Sequence, residues 1–390
     1  MVSAWISGGR LRALRASLPE CGELARSVAV DSKSQDHGSV PAGRGDPALA
    51  ALRRILVVKL SSLGDVVHAT PCLRALRRAC PRARIVMAVD RRYAALVRHS
   101  DHVDEVIEAD AGRGPLSALL EPWRHLAGRR RPQFDLAIDL QGTARSTAWV
   151  YASGARIRAG RLRGDGAPLE WRPGWDPVVR PDPARHAVRV CADVVEALGI
   201  RVETLDPELV VPSEADRRCA ARLAASGLPQ RSFIVVNPFT RWPSKSWPVE
   251  RYRELVTWLV RDCAVPVVVH AGPGEEDAFG ASPEGAVLLA GLPLEEMFAL
   301  FRRARLMVTG DTGPMHCAAA LGTAIVALFG PSWPERTGPW GPGHRVVQRS
   351  RPDAHHAYRT DRAGRHIRSI DVATVCRAVR EALEETAGTS

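Results

Sequence analysis

The run ILVVKLSSLGDVVHATPCLRALRRA, residues 55–79, constrains the fold more than any other stretch of the chain. Ile55 to Leu60 have the length and apolarity of a buried strand. They lead into a tight Ser-Ser-Leu-Gly turn that ends on one carboxylate, Asp65, and an apolar-periodic segment follows. A strand feeding a helix through a glycine turn is the first half of a βα unit, and in open α/β sheets ligands bind outside the carboxyl ends of such strands. Asp65 therefore sits where a general base is useful. Asp is also a favoured helix N-cap residue, so these residues leave two readings of it, a base and a plain cap. Pro71 within the helical pattern predicts a kink or the true start of the helix.

The alternation continues. Strands are expected at 55–60, 84–89, 105–108 and 134–139, with helices near 66–79, 91–98, 115–128 and 143–153, which is a parallel sheet of βα units. Residues 156–182 read as irregular, and a helix at 184–199 and a linker at 200–213 follow. A second alternation has strands near 232–237, 265–270, 286–289, 305–309 and 324–329, and helices near 214–226, 248–262, 293–303 and 314–321. A last amphipathic helix spans 371–386, with Val372, Val375, Val379 and Leu383 on one stripe. The 390 residues suit two domains, and two Rossmann-like sheets facing across a cleft are the simplest arrangement. The expected divisions are a disordered extension at 1–50, rich in Gly, Ser and Pro, domains at 51–212 and 213–369, and a terminal helix at 370–390. Residues 9–17 could form a short basic helix for a membrane surface.

A net charge of +11 first suggests nucleic acid. No zinc-finger, basic-zipper or RNA-recognition signature accompanies it, and an acidic substrate or an anionic membrane surface fits equally well. No segment approaches the roughly 18 consecutive apolar residues of a membrane span, and the N-terminus lacks the features of a secretory signal. The eight cysteines are scattered and include no CxxC, which points to a reducing compartment with neither disulfide frame nor zinc site. A cytoplasmic protein, with peripheral attachment to the inner membrane face as an option, is expected.

Four further motifs follow strands. In VTGDTGPMHCAAALG, residues 308–322, a helix begins near Pro314, where proline suits the first turn. Backbone N–H groups and the helix dipole make an anion site there. Gly313 admits close approach, Thr312 and His316 add donors, and Asp311 suits sugar hydroxyls better than phosphate. An ordinary helix capped by Thr312 or Asp311 is the alternative. In NPFTRWPSKSWP, 237–248, Lys245 on a Pro-flanked loop is a candidate phosphate counter-ion. In HAGPGEED, 270–277, Glu275 is placed to accept ribose hydroxyls, or simply to complement the helix dipole. LFGPSWPERTGPWGPG, 328–343, reads as a stiff loop at the cleft edge. No strand is followed by a full GxGxxG, which argues against a dinucleotide dehydrogenase.

KLSSLGDVVHATP, FDLAIDLQGTARS, DTGPMHCAAALG and ALFGPSWPERTGPWG, in this order and spacing, resemble the family 9 glycosyltransferases, the bacterial ADP-heptose:lipopolysaccharide heptosyltransferases. The resemblance covers roughly residues 53–385. It implies a GT-B architecture, with the acceptor domain first, the nucleotide-sugar domain second and the last helix crossing back onto the first domain. It implies inverting, metal-independent transfer of heptose from ADP-heptose, as co-substrate without a further cofactor, to the Kdo-lipid A inner core. By motif position the base falls on Asp65, the lysine near the donor phosphates on Lys245 and the threonine of that loop on Thr240. The adenosine-binding glutamate falls on Glu275 and the residue packing near adenine on Leu292. The diphosphate and sugar contacts fall on Asp311, Thr312, Gly313 and His316. Ser61, Ser62, Gly64, Arg145, Arg156, Arg158, Arg161 and Arg163 are acceptor-side candidates, the arginines because they bind carboxylate and phosphate bidentately. Nothing carries over to 349–368. A monomer acting on an acidic glycolipid, and not on nucleic acid, is expected. The alternatives are the same chemistry with another donor or acceptor, an epimerase or hydrolase on this architecture, and a non-catalytic binder.

Overall fold

The computed structural model describes residues 49, 51–110, 114–126, 134–162, 174–353 and 357–387. The expected N-terminal extension, apart from Leu49, and Arg163 lie outside the described residues.

Two six-stranded parallel sheets form the framework. The first contains β1 (Arg54–Val58), β2 (Arg84–Asp90), β3 (Glu105–Ala109), β4 (Leu136–Asp139), β5 (Ile157–Arg161) and β6 (Val178–Val179) in the order β3-β2-β1-β4-β5-β6. The second contains β7 (Ile234–Asn237), β8 (Val267–Ala271), β9 (Ala286–Ala290), β10 (Leu306–Gly310), β11 (Ala324–Leu328) and β12 (His344–Val347) in the order β12-β11-β10-β7-β8-β9. Counted from its own first strand, each sheet runs 3-2-1-4-5-6. The chain therefore reverses its direction of winding between β1 and β4, and again between β7 and β10, and such switch points open ligand crevices at the strands' carboxyl ends.

Burial on both faces explains why these strands read as unbroken apolar runs. Ile55 and Val57 enter one core cluster, while Leu56 and Val58 enter another with Phe134 and Trp149. The first cluster continues without a break to Val235, Met307 and Met315 of the second domain, so the two domains share a core. The first helical pattern divides into Leu63–Val67 and Thr70–Ala79, with Pro71 in the opening turn of the second piece. Proline sits there because that turn has no intrahelical use for its missing N–H.

Three expectations change. The segment 156–182, expected to be irregular, supplies β5 and β6. Its alternation was hidden because the inward positions are Ala159 and Gly160, and a Cβ on Gly160 would lie 2.7 Å from Trp175 Cζ3. The short edge strand β12 was also not expected. The last helix, Val372–Ala387, was expected to cross back onto the first domain, but among the described residues its main packing is within the second, on β10, β11, β12 and the helix Val249–Arg261. Its stripe of Val375, Val379 and Ala382 covers the sheet face formed by Val326, Leu328 and Val347, which would otherwise be exposed.

Candidate active site in the interdomain cleft

β1 delivers Lys59 and then the turn to Asp65. Lys59 is buried, donates from Nζ to the Leu140 carbonyl at 3.0 Å and lies 3.6 Å from Asp65 Oδ1. Ser62, not Asp65, is the N-cap of Leu63–Val67. Asp65 is the third residue of that helix, and its Oδ2 accepts from the Ser62 N–H at 3.0 Å and hydroxyl at 2.7 Å, the reciprocal arrangement of a capping box. The carboxylate thus closes the turn, and its side chain remains 43% exposed. Desolvation pushes the Asp65 carboxyl up, but the Lys59 ammonium, both Ser62 donors and His68 outweigh it and hold the group far below the usual carboxylate range. Asp65 is ionised at neutral pH.

In the second domain, β10 ends at Gly310 and Thr312 caps the helix Gly313–Ala320 without spending its hydroxyl on the cap. Lys245 donates to Asp311 Oδ2 at 2.6 Å, and so does the Ser332 hydroxyl, at 2.6 Å. Burial alone would raise the Asp311 carboxyl, and Lys245, Ser332 and His316 reverse the shift and lower it. The Lys245 ammonium also lies 4.5 Å from the centroid of the Tyr358 ring. An ammonium thus stands on the same switch point as a helix N-terminus, both suited to an anion. Beneath them Asn237 accepts from His270 Nδ1 at 2.8 Å and donates to Thr309 Oγ1 at 3.1 Å. Burial lowers the His270 pKa to about 4, so the imidazole is neutral and tethers the ends of β7, β8 and β10.

The two halves meet directly. The helix Leu63–Val67 packs on the helix Gly313–Ala320, and glycines permit the approach. A Cβ on Gly64 would lie 2.2 Å from His316 Cδ2, and one on Gly313 would lie 2.7 Å from Leu63 Cβ. His68 Nε2 and His316 Nδ1 are 3.0 Å apart across the boundary. His186 packs 5.4 Å from His68, ring to ring, and donates from Nε2 to the Gly338 carbonyl at 3.1 Å. Burial depresses all three imidazoles, His316 to about 4. A second bridge joins Arg241 to the Tyr93 hydroxyl at 2.9 Å. The short helix that carries the Asp65 carboxylate therefore abuts the helix that starts at Thr312–Gly313.

The family described as glycosyltransferase family 9 (heptosyltransferase) matches residues 123–366. The chain belongs to glycosyltransferase family 9. Lipopolysaccharide heptosyltransferase 1 of Pseudomonas aeruginosa is 32% identical over 313 residues, 74% of this chain and 81% of that protein. Among solved structures, a family 9 glycosyltransferase of Veillonella parvula superposes with a TM-score of 0.73 at 24% identity, covering 85% of this chain and 97% of that one. E. coli ADP-heptose heptosyltransferase II gives 0.68 at 23% identity, covering 85% and 99%. These likenesses establish the two-domain GT-B fold.

Within this family 9 glycosyltransferase the expected residues separate into groups. Asp65, Ser62, Gly64, Asp311, Thr312, Gly313, His316 and Lys245 converge on the cleft. Asp311, expected to meet sugar hydroxyls, has one oxygen committed to Lys245 and Ser332. Thr240 braces its loop, donating to the Trp242 carbonyl at 2.8 Å. Glu275 accepts from the Gly272 N–H at 2.7 Å and so shapes the glycine turn. Leu292 is a core residue, 9% exposed. Ser61 offers its N–H to Gln141 Oε1 at 3.1 Å.

The acceptor-side arginines disperse. Arg145 pairs with Glu121 at 2.9 Å and lies 4.0 Å from Asp90, which neutralises it in place. Arg156 precedes β5 at the strand's amino end, away from the cleft, which removes it from the acceptor candidates; Arg158 stacks 5.6 Å from the Tyr151 ring centroid. Arg161, at the carboxyl end of β5, is on the cleft side. Lys59, His68, His186, Ser332 and Tyr358 were missed. Lys59 had a signal, a lysine inside an apolar strand, since burying an ammonium requires a partner. Tyr358 had none, because it reaches Lys245 through a segment without a motif.

Proposed function

We propose that this glycosyltransferase moves heptose from ADP-heptose to the Kdo-lipid A inner core of lipopolysaccharide, with inversion and without a metal, at the cytoplasmic face of the membrane. The supporting observation is the juxtaposition of ionised Asp65 with the Thr312–Gly313 helix start, reinforced by the names of the relatives. The donor occupies the second domain, with its diphosphate at Lys245 and Thr312–Gly313 and its adenosine toward Glu275 and Leu292. Asp65 takes the proton of the acceptor hydroxyl as that oxygen bonds to the anomeric carbon. The bond from that carbon to the diphosphate oxygen breaks, and ADP leaves on the opposite side of the sugar. One displacement inverts the anomeric centre. Although its low pKa makes Asp65 a weak base, the attacking hydroxyl grows acidic as its oxygen bonds to carbon, so late proton transfer suffices; general base catalysis of this kind contributes roughly 10²–10⁴ in rate. The charge growing on ADP is met by Lys245 and by the helix N-terminus, which fill the role a divalent cation plays elsewhere.

The test is a screen of nucleotide sugars with a Kdo-lipid A acceptor, read by intact mass, with and without EDTA, and with the product anomer assigned by NMR. Transfer from ADP-heptose with inversion and no loss in EDTA is expected. A different preferred donor reassigns the substrate within the family, donor consumption without acceptor indicates an epimerase or hydrolase, and retention or a strict metal requirement overturns the mechanism.

A further inference from the structure

We propose that the outward face of the helix Pro115–Leu126 is the surface by which this protein seats on an anionic lipid bilayer. Pro122 and Leu126 of this helix are buried in the usual way, but one carboxylate turns inward and three large apolar side chains turn outward. Glu121 points inward and is 7% exposed, while Leu119, Leu120 and Trp123 are 39%, 49% and 40% exposed. They are three of the eight large apolar side chains exposed among the described residues. At about 100° per residue, positions 119, 120 and 123 fall within one arc of about 100°, and position 124 borders it.

An ion pair fixes that rotation. The Glu121 carboxylate accepts from Arg145 Nη2 at 2.9 Å and from the Asp110 N–H. Rolling the helix to bury its leucines would drag this carboxylate away from its partners, and a buried charge stripped of its partner is strongly unfavourable. The apolar face is therefore held outward by the residues that rim the cleft.

Charge selects the occupant. Arg124 is exposed beside the apolar arc. In the sequence Arg113 precedes the helix and Arg129–Arg131 follow it, within a chain of net charge +11. An exposed arginine bordering a short Leu and Trp face, in a chain this basic, suits an anionic interface, where the apolar side chains enter the headgroup boundary and Arg124 meets phosphate. Position agrees: the helix follows β3 in the acceptor domain, and the chain Glu121–Arg145–Asp90 leads from its inner side to the cleft. This proposal rests on the reading of a glycolipid acceptor, whose sugars would then lie beside Asp65 while its acyl chains stay in the bilayer.

The experiment uses the full chain and vesicles of phosphatidylethanolamine with phosphatidylglycerol, or of phosphatidylcholine alone, in a sedimentation assay. Wild type, the triple variant L119S/L120S/W123S and R124E are compared, with melting temperature and oligomeric state measured for each. Transfer is assayed to a vesicle-embedded acceptor and to a de-acylated, water-soluble one. The triple variant is expected to partition to anionic vesicles at least ~10-fold more weakly and to lose activity on the embedded acceptor in proportion. It should keep its melting temperature and its activity on the soluble acceptor. R124E is expected to weaken anionic but not neutral partitioning. Should the triple variant melt early, L120S and R124E alone carry the comparison. Unchanged vesicle binding in the variants, equal wild-type binding to neutral vesicles, or a dimer that the triple variant converts to monomer with vesicle binding intact would each overturn the proposal. A wild type that binds anionic vesicles yet transfers heptose to neither acceptor leaves the surface standing and sinks the functional reading instead.

Discussion

The two sheets share one strand order, yet they use their switch points for opposite charges. In the first, β1 leads through Ser62 to an anion, Asp65, and a buried lysine stands behind it. In the second, β7 leads into a Pro-flanked loop and a cation, Lys245, and a buried aspartate stands behind it. The aspartates at the fourth strands differ in the same spirit. Asp139, at the end of β4, accepts from the N–H groups of Gln141 and Gly142 at 2.8 and 2.9 Å and from the Ser146 hydroxyl at 2.9 Å, so it serves its own turn. Asp311, just past β10, holds Lys245. A repeated fold supplies two equivalent places, and the side chains delivered there are a carboxylate in one sheet and an ammonium in the other.

The comparison breaks first at Asp65. Asp65→Asn keeps an oxygen for the Ser62 donors but loses basicity, so turnover should fall by roughly 10²–10⁴ while donor affinity by calorimetry stays near wild type. Near-normal turnover would remove Asp65 from its role and reduce it to a cap.

The cationic half should respond differently. Lys245→Ala is expected to lower turnover by roughly 10²–10³, weaken donor binding and destabilise the domain, because Asp311 is left buried without its partner. Lys245→Ala combined with Asp311→Asn should recover the melting temperature but not the turnover. Recovery of both would show that the ammonium only neutralises Asp311.

The meeting of the halves is probed by Gly64→Ala. The new Cβ, built 2.2 Å from His316 Cδ2, must push the two helices apart. A turnover loss of roughly 10- to 100-fold with donor affinity intact is expected, because misplacement near 1 Å costs that much in a positioned reaction. An unaffected rate would show that the glycine contact is not required during transfer.

The smallest effect concerns pH. His316 titrates near 6.5 when unfolded and at about 4 when folded, so between these values the unfolded chain binds more protons and stability falls as pH falls. Each such imidazole contributes a slope of up to ~1.4 kcal/mol per pH unit. His68 and His186 shift the same way. Asp65 and Asp311 extend the loss below the unfolded carboxylate value of 3.8. Denaturant melts at pH 7 and 5 should show a shallower slope for His316→Gln than for wild type; an equal slope would mean that the His68–His316 contact is open in solution.

Much of this was legible in one dimension. Strands such as Ile55–Val58 and Leu306–Val308 are buried on both faces, so continuous apolarity betrays them, and glycine turns with Pro71 and Pro314 mark where helices begin. Asp65, Lys245 and the Thr312–Gly313 start could be singled out because each follows a strand end, where α/β sheets place their ligands. The strands β5 and β12 were not legible, since Gly160 and His344 belong to no apolar pattern and pair because of their neighbours.

Partnership belongs to the folded molecule. Which sheet the terminal helix covers, which arginines Glu121 and Asp90 neutralise, and which way Leu119 and Trp123 face all depend on residues distant in the chain. So does the encounter of His68 with His316, across 248 positions. A local pattern records where a residue stands along a strand or helix. Charge pairing, burial and close approach are settled by distances through space, and those exist only once the two sheets have come together.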